Sequence, residues 1–319
     1  MAGLFWGVVE AHESRHRPGK SDGLGYAVGL LTWVLAGGTF VAGKAAVAEM
    51  PPWTFVFGRL LIGVLVLLPL VRHHFPEMRA FLRTYGLHAL AVGALGFGIT
   101  QGLMFTSLQH SSAVNAGIIF STTPMITLLM ARFFLHEPMG PWQYAGSLLA
   151  FCGIVVVAVQ GSLKVLLGLD LGVGDIIMIG AAIVFSSYTV LLKRAHFQLD
   201  RLPLLVILMA GSLIATLPFF LWEFVNGEHA NLGLNGYLAL AYAAIPGGAL
   251  MYLLYNWSVE ILGAGRAQGL LYSQMVFTAI IAWLVLGESI EWYQYAGGAF
   301  IVVGVILVTF LKPAVPKPD

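Results

Sequence analysis

The sequence predicts an all-α polytopic membrane protein of ten transmembrane helices arranged as two inverted five-helix repeats. Three observations predict it. Of the 319 residues, 59% are hydrophobic and 10% charged, against roughly 45–50% and about 25% in soluble domains, so the solvent for this surface is lipid. One long stretch occurs twice: AVNAGIIFSTTPMITLLMARFFLHEPMGPWQYAG from Ala113 returns as AGRAQGLLYSQMVFTAIIAWLVLGESIEWYQYAG from Ala264, a repeat length that points to a transporter built of two halves. Basic residues, finally, gather on alternate connections between the apolar runs.

Runs of about 20 apolar residues, enough to cross a hydrocarbon core, fall at residues 25–47, 53–71, 84–106, 111–134, 141–160, 174–193, 203–223, 236–259, 266–286 and 292–311. The predicted organisation is a cytoplasmic tail (1–22), a first repeat (23–161), a second repeat (162–312) and a C-terminal tail (313–319). In the tail MAGLFWGVVEAHESRHRPGKSD the charges follow the apolar residues, the reverse of a signal peptide. With that tail cytoplasmic, Arg15, Arg17, Lys20, Arg72, Arg79, Arg83, Arg132, Lys193, Arg194, Arg201, Arg266, Lys312 and Lys317 share its side, while only Lys44 and Lys164 lie opposite. The positive-inside rule therefore predicts a multi-pass protein of a bacterial inner membrane with both termini cytoplasmic. Five spans per half is an odd number, so the second half enters from the opposite face. TWVLAGGTFVAGK ending in Lys44 and AAIVFSSYTVLLK ending in Lys193 agree with that inversion.

Glycine supplies 38 residues, above the usual roughly 7%, and clusters at matched places. Gly96 and Gly98 in the third span face Pro246, Gly247 and Gly248 in the eighth, 151 residues on, and Gly37-Gly38 in the first face Ser186-Ser187 in the sixth at nearly the same offset. Small residues also let membrane helices pack closely, but paired interruptions in both halves read as helix breaks or hinges near a midplane site. Pro124 has no partner proline and reads as a kink.

No Asp or Glu sits in the middle of any span, so the usual holders of protons and cationic cargo are missing. Nor do basic residues converge as a phosphate site requires. Arg59 alone lies inside a span, and pairing with backbone carbonyls at a helix interface is its expected role. Uncharged polar and aromatic groups remain as the candidate cavity: Trp33, Thr39, Phe40, Gln101, Thr122, Ser186, Tyr188, Tyr252, Asn256, Tyr272 and Gln274. Singly each reads as an interhelical hydrogen bond or a belt aromatic. Together they predict a neutral, aromatic-walled site for a zwitterionic or neutral metabolite. Nine histidines sit mostly in tails and loops, His12 and His16 (HESRH) alone standing four apart, in the tail ahead of the first span; no nucleophile or nucleotide motif is present, and Cys152 reads as a buried small hydrophobe. No metal, no cofactor, no nucleic acid, no obligatory protein partner and no enzymatic activity are expected; the partners are a small-molecule substrate and the bilayer.

The duplicated five-span unit, Arg59 after Pro51-Pro52-Trp53, MFTSLQHSSAVNAGII with its counterpart YNWSVEILGAGRAQGL, and the turns HEPMGPWQYAG and GESIEWYQYAG resemble the drug/metabolite transporter superfamily, specifically its ten-helix EamA-type members. The likeness covers residues 25–312 and extends to bacterial exporters of amino acids, aromatic ones included. It implies a central cavity lined by spans one, three, four, six, eight and nine, alternating access by rocking of the halves, and structural roles for Glu137 and Glu288 at their turns. Exporters of nucleobases or drug-like aromatics share the scaffold and form the alternative; a membrane-embedded enzyme is the remote one.

Overall fold

The structure, a computed structural model, describes residues 20–134, 140–162, 172–195, 197–227, 233–262, 270 and 273–310. Among them no strand occurs. The helices are α1 (Lys20–Ala46), α2 (Pro52–Leu67), α3 (Phe75–Gly93), α4 (Thr100–His110), α5 (Ala113–Phe120), α6 (Thr123–Phe134), α7 (Pro141–Ala158), α8 (Val173–Ala195), α9 (Arg201–Val225), α10 (Leu234–Ala244), α11 (Met251–Leu262), α12 (Ser273–Leu286) and α13 (Trp292–Phe310). A 3-10 turn, Leu68–His74, joins α2 to α3, and two π-helical segments join α3 to α4 and α10 to α11.

Among the described residues six helical stretches are long and apolar enough to cross a membrane: Gly23–Ala46, Pro52–His110, Ala113–Phe134, Val173–Ala195, Arg201–Val225 and Leu234–Tyr255. The second, 59 residues long, measures about 90 Å as a helix, far beyond the roughly 30 Å of one hydrocarbon core. It turns back through the 3-10 segment, where Pro69 interrupts the α-helical ladder. Tyr144–Val157 and Ser273–Leu286 are shorter apolar helices. Outward faces carry Leu65, Leu87, Phe133, Leu148, Ile214 and Val285, all exposed, which in water would be an aggregation surface and in lipid is the matched one. Trp142, Trp222 and Trp292 stand exposed near helix ends, where interfacial aromatics sit. Cys152 is exposed on α7 rather than buried: it shares the outward face with Leu148 and Phe151.

The packing is reciprocal. α1 lies against α10, α11 and α12, while α8 lies against α4, α5 and α6, so the first helix of each repeat docks on the other repeat. α7 packs along α13. There a Cβ on Gly153 would come within 2.6 Å of the Gly297 carbonyl, and one on Gly304 within 2.5 Å of the Gly146 carbonyl. Gly146 and Gly153 correspond to Gly297 and Gly304 at the repeat offset. Each glycine thus faces the counterpart of the other, the pattern of an isologous, two-fold contact.

Gly37 and Gly38 do not break their helix, as the sequence led us to expect: α1 runs unbroken from Lys20 to Ala46. They are small because neighbours come close. A Cβ on Gly37 would meet the Thr278 amide nitrogen at 2.9 Å, and one on Gly38 would overlap the Tyr242 ring. The interruption instead falls at Ser121-Thr122, between α5 and α6, with Pro124 in the first turn of α6, where proline is tolerated.

One end of the bundle is tied by carboxylates that cap helices distant in sequence. Glu223, only 2% exposed, accepts from the Trp53 and Thr54 amides at 3.1 and 2.7 Å and from the Thr54 hydroxyl at 2.8 Å, at the start of α2. Glu49 accepts from the Gly233 and Gly236 amides, both at 2.9 Å, at the start of α10. Glu288 accepts from the Ala113 and Val114 amides at 3.0 and 3.2 Å, at the start of α5, and Gly287 (φ +66°) supplies the left-handed turn that precedes it. Each satisfies amides left over at a helix start and opposes the positive end of its dipole. Lys44 donates to the Leu108 and Ser111 carbonyls at 2.6 and 2.7 Å. Asp175 accepts from Ser111 and Asn115, and Gln294 donates to Asn115. Glu223→Ala should cost about 1–3 kcal/mol, the range for orphaned buried donors, read as a lower melting temperature in detergent; unchanged melting would contradict the capping role.

Candidate functional site

Two segments of the described chain wind as π-helix within the bundle, and they match. Ala94–Ile99 (ALGFGI) and Ile245–Leu250 (IPGGAL) are both six-residue π-helical segments, and their first residues stand 151 apart, the repeat offset. A π segment holds an extra residue in the helix and displaces carbonyls from their i→i+4 partners, which is why such segments recur at functional sites. Hydroxyls from neighbouring helices serve the freed backbone. Thr39 of α1 donates to the Gly247 carbonyl at 3.2 Å, and Ser212 of α9 to the Gly93 carbonyl at 2.6 Å. Gly96 and Gly247, repeat partners, each lie against the first helix of the other half: a Cβ on Gly96 would enter the Tyr188 ring, and one on Gly247 the Thr39 hydroxyl. Gly98 abuts the Ser212 backbone, with a built Cβ 3.2 Å from its carbonyl oxygen, and Gly248 the Ala243 carbonyl, at 2.8 Å.

Around these segments runs a continuous chain of rings. Phe40 meets Phe120 at 5.8 Å between centroids, Phe120 meets Phe185 at 5.4 Å, and Phe185 meets Tyr188 at 5.6 Å. Tyr188 meets Phe97 at 5.6 Å, and Phe97 meets Tyr252 edge-on at 5.4 Å. Five helical segments of both repeats thereby present aromatic surface to one another. Trp33 packs edge-on against Tyr255 at 5.8 Å, and its indole Nε1, though buried, has no hydrogen-bond partner.

Arg59 lies beside this chain. It is 6% exposed and sits seven residues into α2, about 10 Å along the helix axis. Its guanidinium carbon stands 5.4 Å from the centre of the Phe105 ring, and the glycine backbone of the second π segment approaches it at Gly248. Contrary to the expected pairing with backbone carbonyls, Arg59 makes no hydrogen bond or ion pair among the described residues, and its Nη1 is buried without a partner. Placing arginine at a membrane helix centre costs about 2.5–3.5 kcal/mol on insertion scales, and one desolvated π contact returns about 2. Among the described residues the π contact is thus the one counterweight seen for this cation.

Of the other expected cavity residues, Thr122 is fully buried and donates to the Ile119 carbonyl in the last turn of α5 at 2.6 Å. Ser186 is likewise buried, donating to Ala182 at 2.8 Å and across to Thr123 at 3.1 Å. Both hydroxyls are spent on backbone and neither presents a donor to a ligand; Thr39 is similarly spent on the π segment. Gln101 is part-buried in α4 with its Oε1 buried and unpartnered. Gln274 lies in α12, with its backbone carbonyl against Gly37. Glu137 and Tyr272 lie outside the described residues, as does the side chain of Asn256. Sequence reasoning missed Phe97, Phe105, Phe120 and Phe185, phenylalanines in apolar helices that carry no polar signal.

At the end opposite the carboxylate caps, two adjoining recesses of about 700 and 590 Å³ open between α3, the end of α8 and residues 197–200. Phe81, Tyr85, Phe197 and Arg194 line them, and His74, Glu77 and Asp200 bring ligand-type atoms within 4.8 Å of one another at the rim. Glu77 and Asp200 of that cluster are exposed. Tyr188 lies three residues below Leu191 of the recess wall, about 5 Å along α8, so the recess floor and the ring chain are neighbours.

Comparisons with known proteins follow the same pattern. The family model described as the EamA-like transporter family matches twice, at residues 23–159 and 172–310. An uncharacterized transporter, YyaM, of Bacillus subtilis (strain 168) is 27% identical over 278 residues, 86% of this chain and 89% of that protein. A riboflavin transporter of Vibrio cholerae is 22% identical over 295 residues, 87% of this chain and 91% of its own. A crystal structure 18% identical in sequence superposes with a TM-score of 0.61, covering 92% of this chain and 99% of that one, a likeness of fold.

Gly247→Ala should lower the melting temperature by pressing a methyl onto Thr39, and adding Thr39→Ala should restore most of it. A double-mutant cycle should give a coupling of about 1–2 kcal/mol, within the range for touching residues; additive effects would contradict the contact.

Proposed function

This chain belongs to the EamA-like transporter family, and from that membership we propose that it exports small amphipathic metabolites across a bacterial inner membrane, amino acids including aromatic ones foremost. The observation that carries the reading is the ring chain from Phe40 to Tyr252 laid across two matched π segments. An apolar, aromatic-walled site with few polar groups holds such a ligand by its side chain. In this reading the ten spans form two inverted halves, residues 23–161 and 162–312, with Glu137 and Glu288 as structural turn residues.

The positive-inside distribution assigns the His74 end to the cytoplasm and the Lys44 end to the outside. The conformation is then closed outward by the carboxylate caps and recessed inward. Alternating access is a rocking of the halves that parts the caps and closes the recess. The π segments are suited to be the hinges, because their ladders are already broken there. Among the described residues no acid and base converge at the centre, which supports carriage of a solute over chemistry on it.

A second reading, export of larger aromatic solutes such as flavins, nucleobases or drug-like compounds, draws on the Vibrio cholerae riboflavin transporter and on the same rings.

Liposomes holding the purified protein and loaded with labelled phenylalanine should release it faster than empty-protein controls, saturably. Release of labelled riboflavin alone would move the assignment to the second reading. Tyr252→Ala should fold normally and lose about tenfold in transport, the worth of about one aromatic contact; full transport by Tyr252→Ala would remove Tyr252 from the substrate path.

A further inference from the structure

We infer that Arg59 and Gln101 form the headgroup clamp of this site, Arg59 taking a carboxylate and Gln101 an ammonium, so that the cargo is a carboxylate-bearing aromatic compound and an α-amino acid fits best. The inference rests on the reading of the ring chain as the substrate site and adds the chemistry at its end.

Three placements support it. Arg59 is buried, carries a planar fork of five N–H donors, and gives none of them to a described residue. Phe105 stands beside its guanidinium, 5.4 Å from carbon to ring centre, and offers it a π face but no hydrogen-bond acceptor. Gln101 offers the complement, a buried amide oxygen without a donor. The register of α4 links the two. Gln101 and Phe105 are spaced four apart in α4 and share one helix face, and Phe105 lies beside the Arg59 guanidinium. Phe97, four residues before Gln101 in the first π segment, touches Tyr188 and Tyr252. Along the chain Gln101 therefore stands between the ring that meets the tyrosines and the ring that meets the cation.

An unpaired donor fork and an unpaired acceptor on one face are what an α-carboxylate and an α-ammonium complete, while an aromatic side chain extends along the rings. The same arrangement disfavours the alternatives. An amine without a carboxylate would face an unneutralised arginine, and the aspartates and glutamates of the described residues stand at helix ends and connections, too far along to balance it. A neutral ring system would leave the fork empty. Discrimination by such a site comes as much from what it repels as from what it binds.

The test is competition for labelled phenylalanine on the purified full-length protein in detergent, using phenylalanine, 3-phenylpropionate and 2-phenylethylamine. The acid should compete and the amine should be about 30-fold weaker or worse, the scale of leaving a buried charge unpaired. Arg59→Gln should weaken the acid by about the same factor and strengthen the amine, which then no longer meets an unneutralised arginine. Gln101→Leu, which keeps the cation, should bring phenylalanine down to the affinity of 3-phenylpropionate, so the proposal can be tested even where Arg59→Gln fails to fold. Equal competition by acid and amine on the native protein overturns it, as does a Gln101→Leu protein that still prefers phenylalanine over the acid. Should native protein bind no phenylalanine, thermal melting with the two analogues decides. Stabilisation by the acid alone keeps the anion clamp and discards the amino-acid reading; stabilisation by neither discards both.

Discussion

Helix starts in lipid carry amides that nothing in the bilayer can satisfy, and in this protein carboxylates from distant parts of the chain satisfy three of them. Glu223 serves α2, Glu288 serves α5 and Glu49 serves α10. In each case donor and acceptor belong to different repeats, so the cap is also a tie between halves. The acids stand at helix ends, where a charge is least costly and a helix dipole most rewarding. The closed end of the bundle follows from these ties, and with it the recess at the other end, where no comparable set of caps is seen among the described residues.

Between the two ends the helices must both hold and bend. The paired π segments answer that requirement: each removes a stretch of α-helical ladder, and each is propped by a hydroxyl from a neighbouring helix, Thr39 onto Gly247 and Ser212 onto Gly93. The glycines in them admit the first helix of the opposite repeat, at Tyr188 and at Thr39. The same pair of segments therefore brings the rings together and frees backbone beside Arg59, and in the proposed transport cycle it is where the halves would pivot. One irregularity per repeat serves all three.

The repeat, the apolar surface and the position of both helix interruptions at residues 94–99 and 245–250 were legible in the sequence, because glycine and proline at a fixed offset are a compositional signal. The kind of interruption was not, since π and α winding differ by one residue of register. Glycine was ambiguous at Gly37 and Gly38, where it marks a close approach by Thr278 and Tyr242 and the helix runs on. The hydroxyls were hidden for a related reason: Thr122 turns onto the Ile119 carbonyl at the end of α5 and Ser186 onto the Ala182 carbonyl of α8, a choice of rotamer that no spacing reveals. Glu223 was legible as an acid at a helix end but neither it nor Glu49 as a cap, because their partners lie more than 150 residues away. Arg59 was visible as a lone charge in a span. That it lacks a hydrogen-bond partner among the described residues is a fact of packing.

The central claim is that cargo sits between the π segments with its carboxylate at Arg59. A crystal structure with 4-bromophenylalanine would test it most directly, because the anomalous signal of bromine marks one atom of the ligand. The account predicts a single peak among Phe97, Phe120, Phe185 and Tyr188, with carboxylate density against the Arg59 guanidinium. A peak in the recess lined by Phe81, Tyr85 and Phe197, with nothing at Arg59, would contradict it.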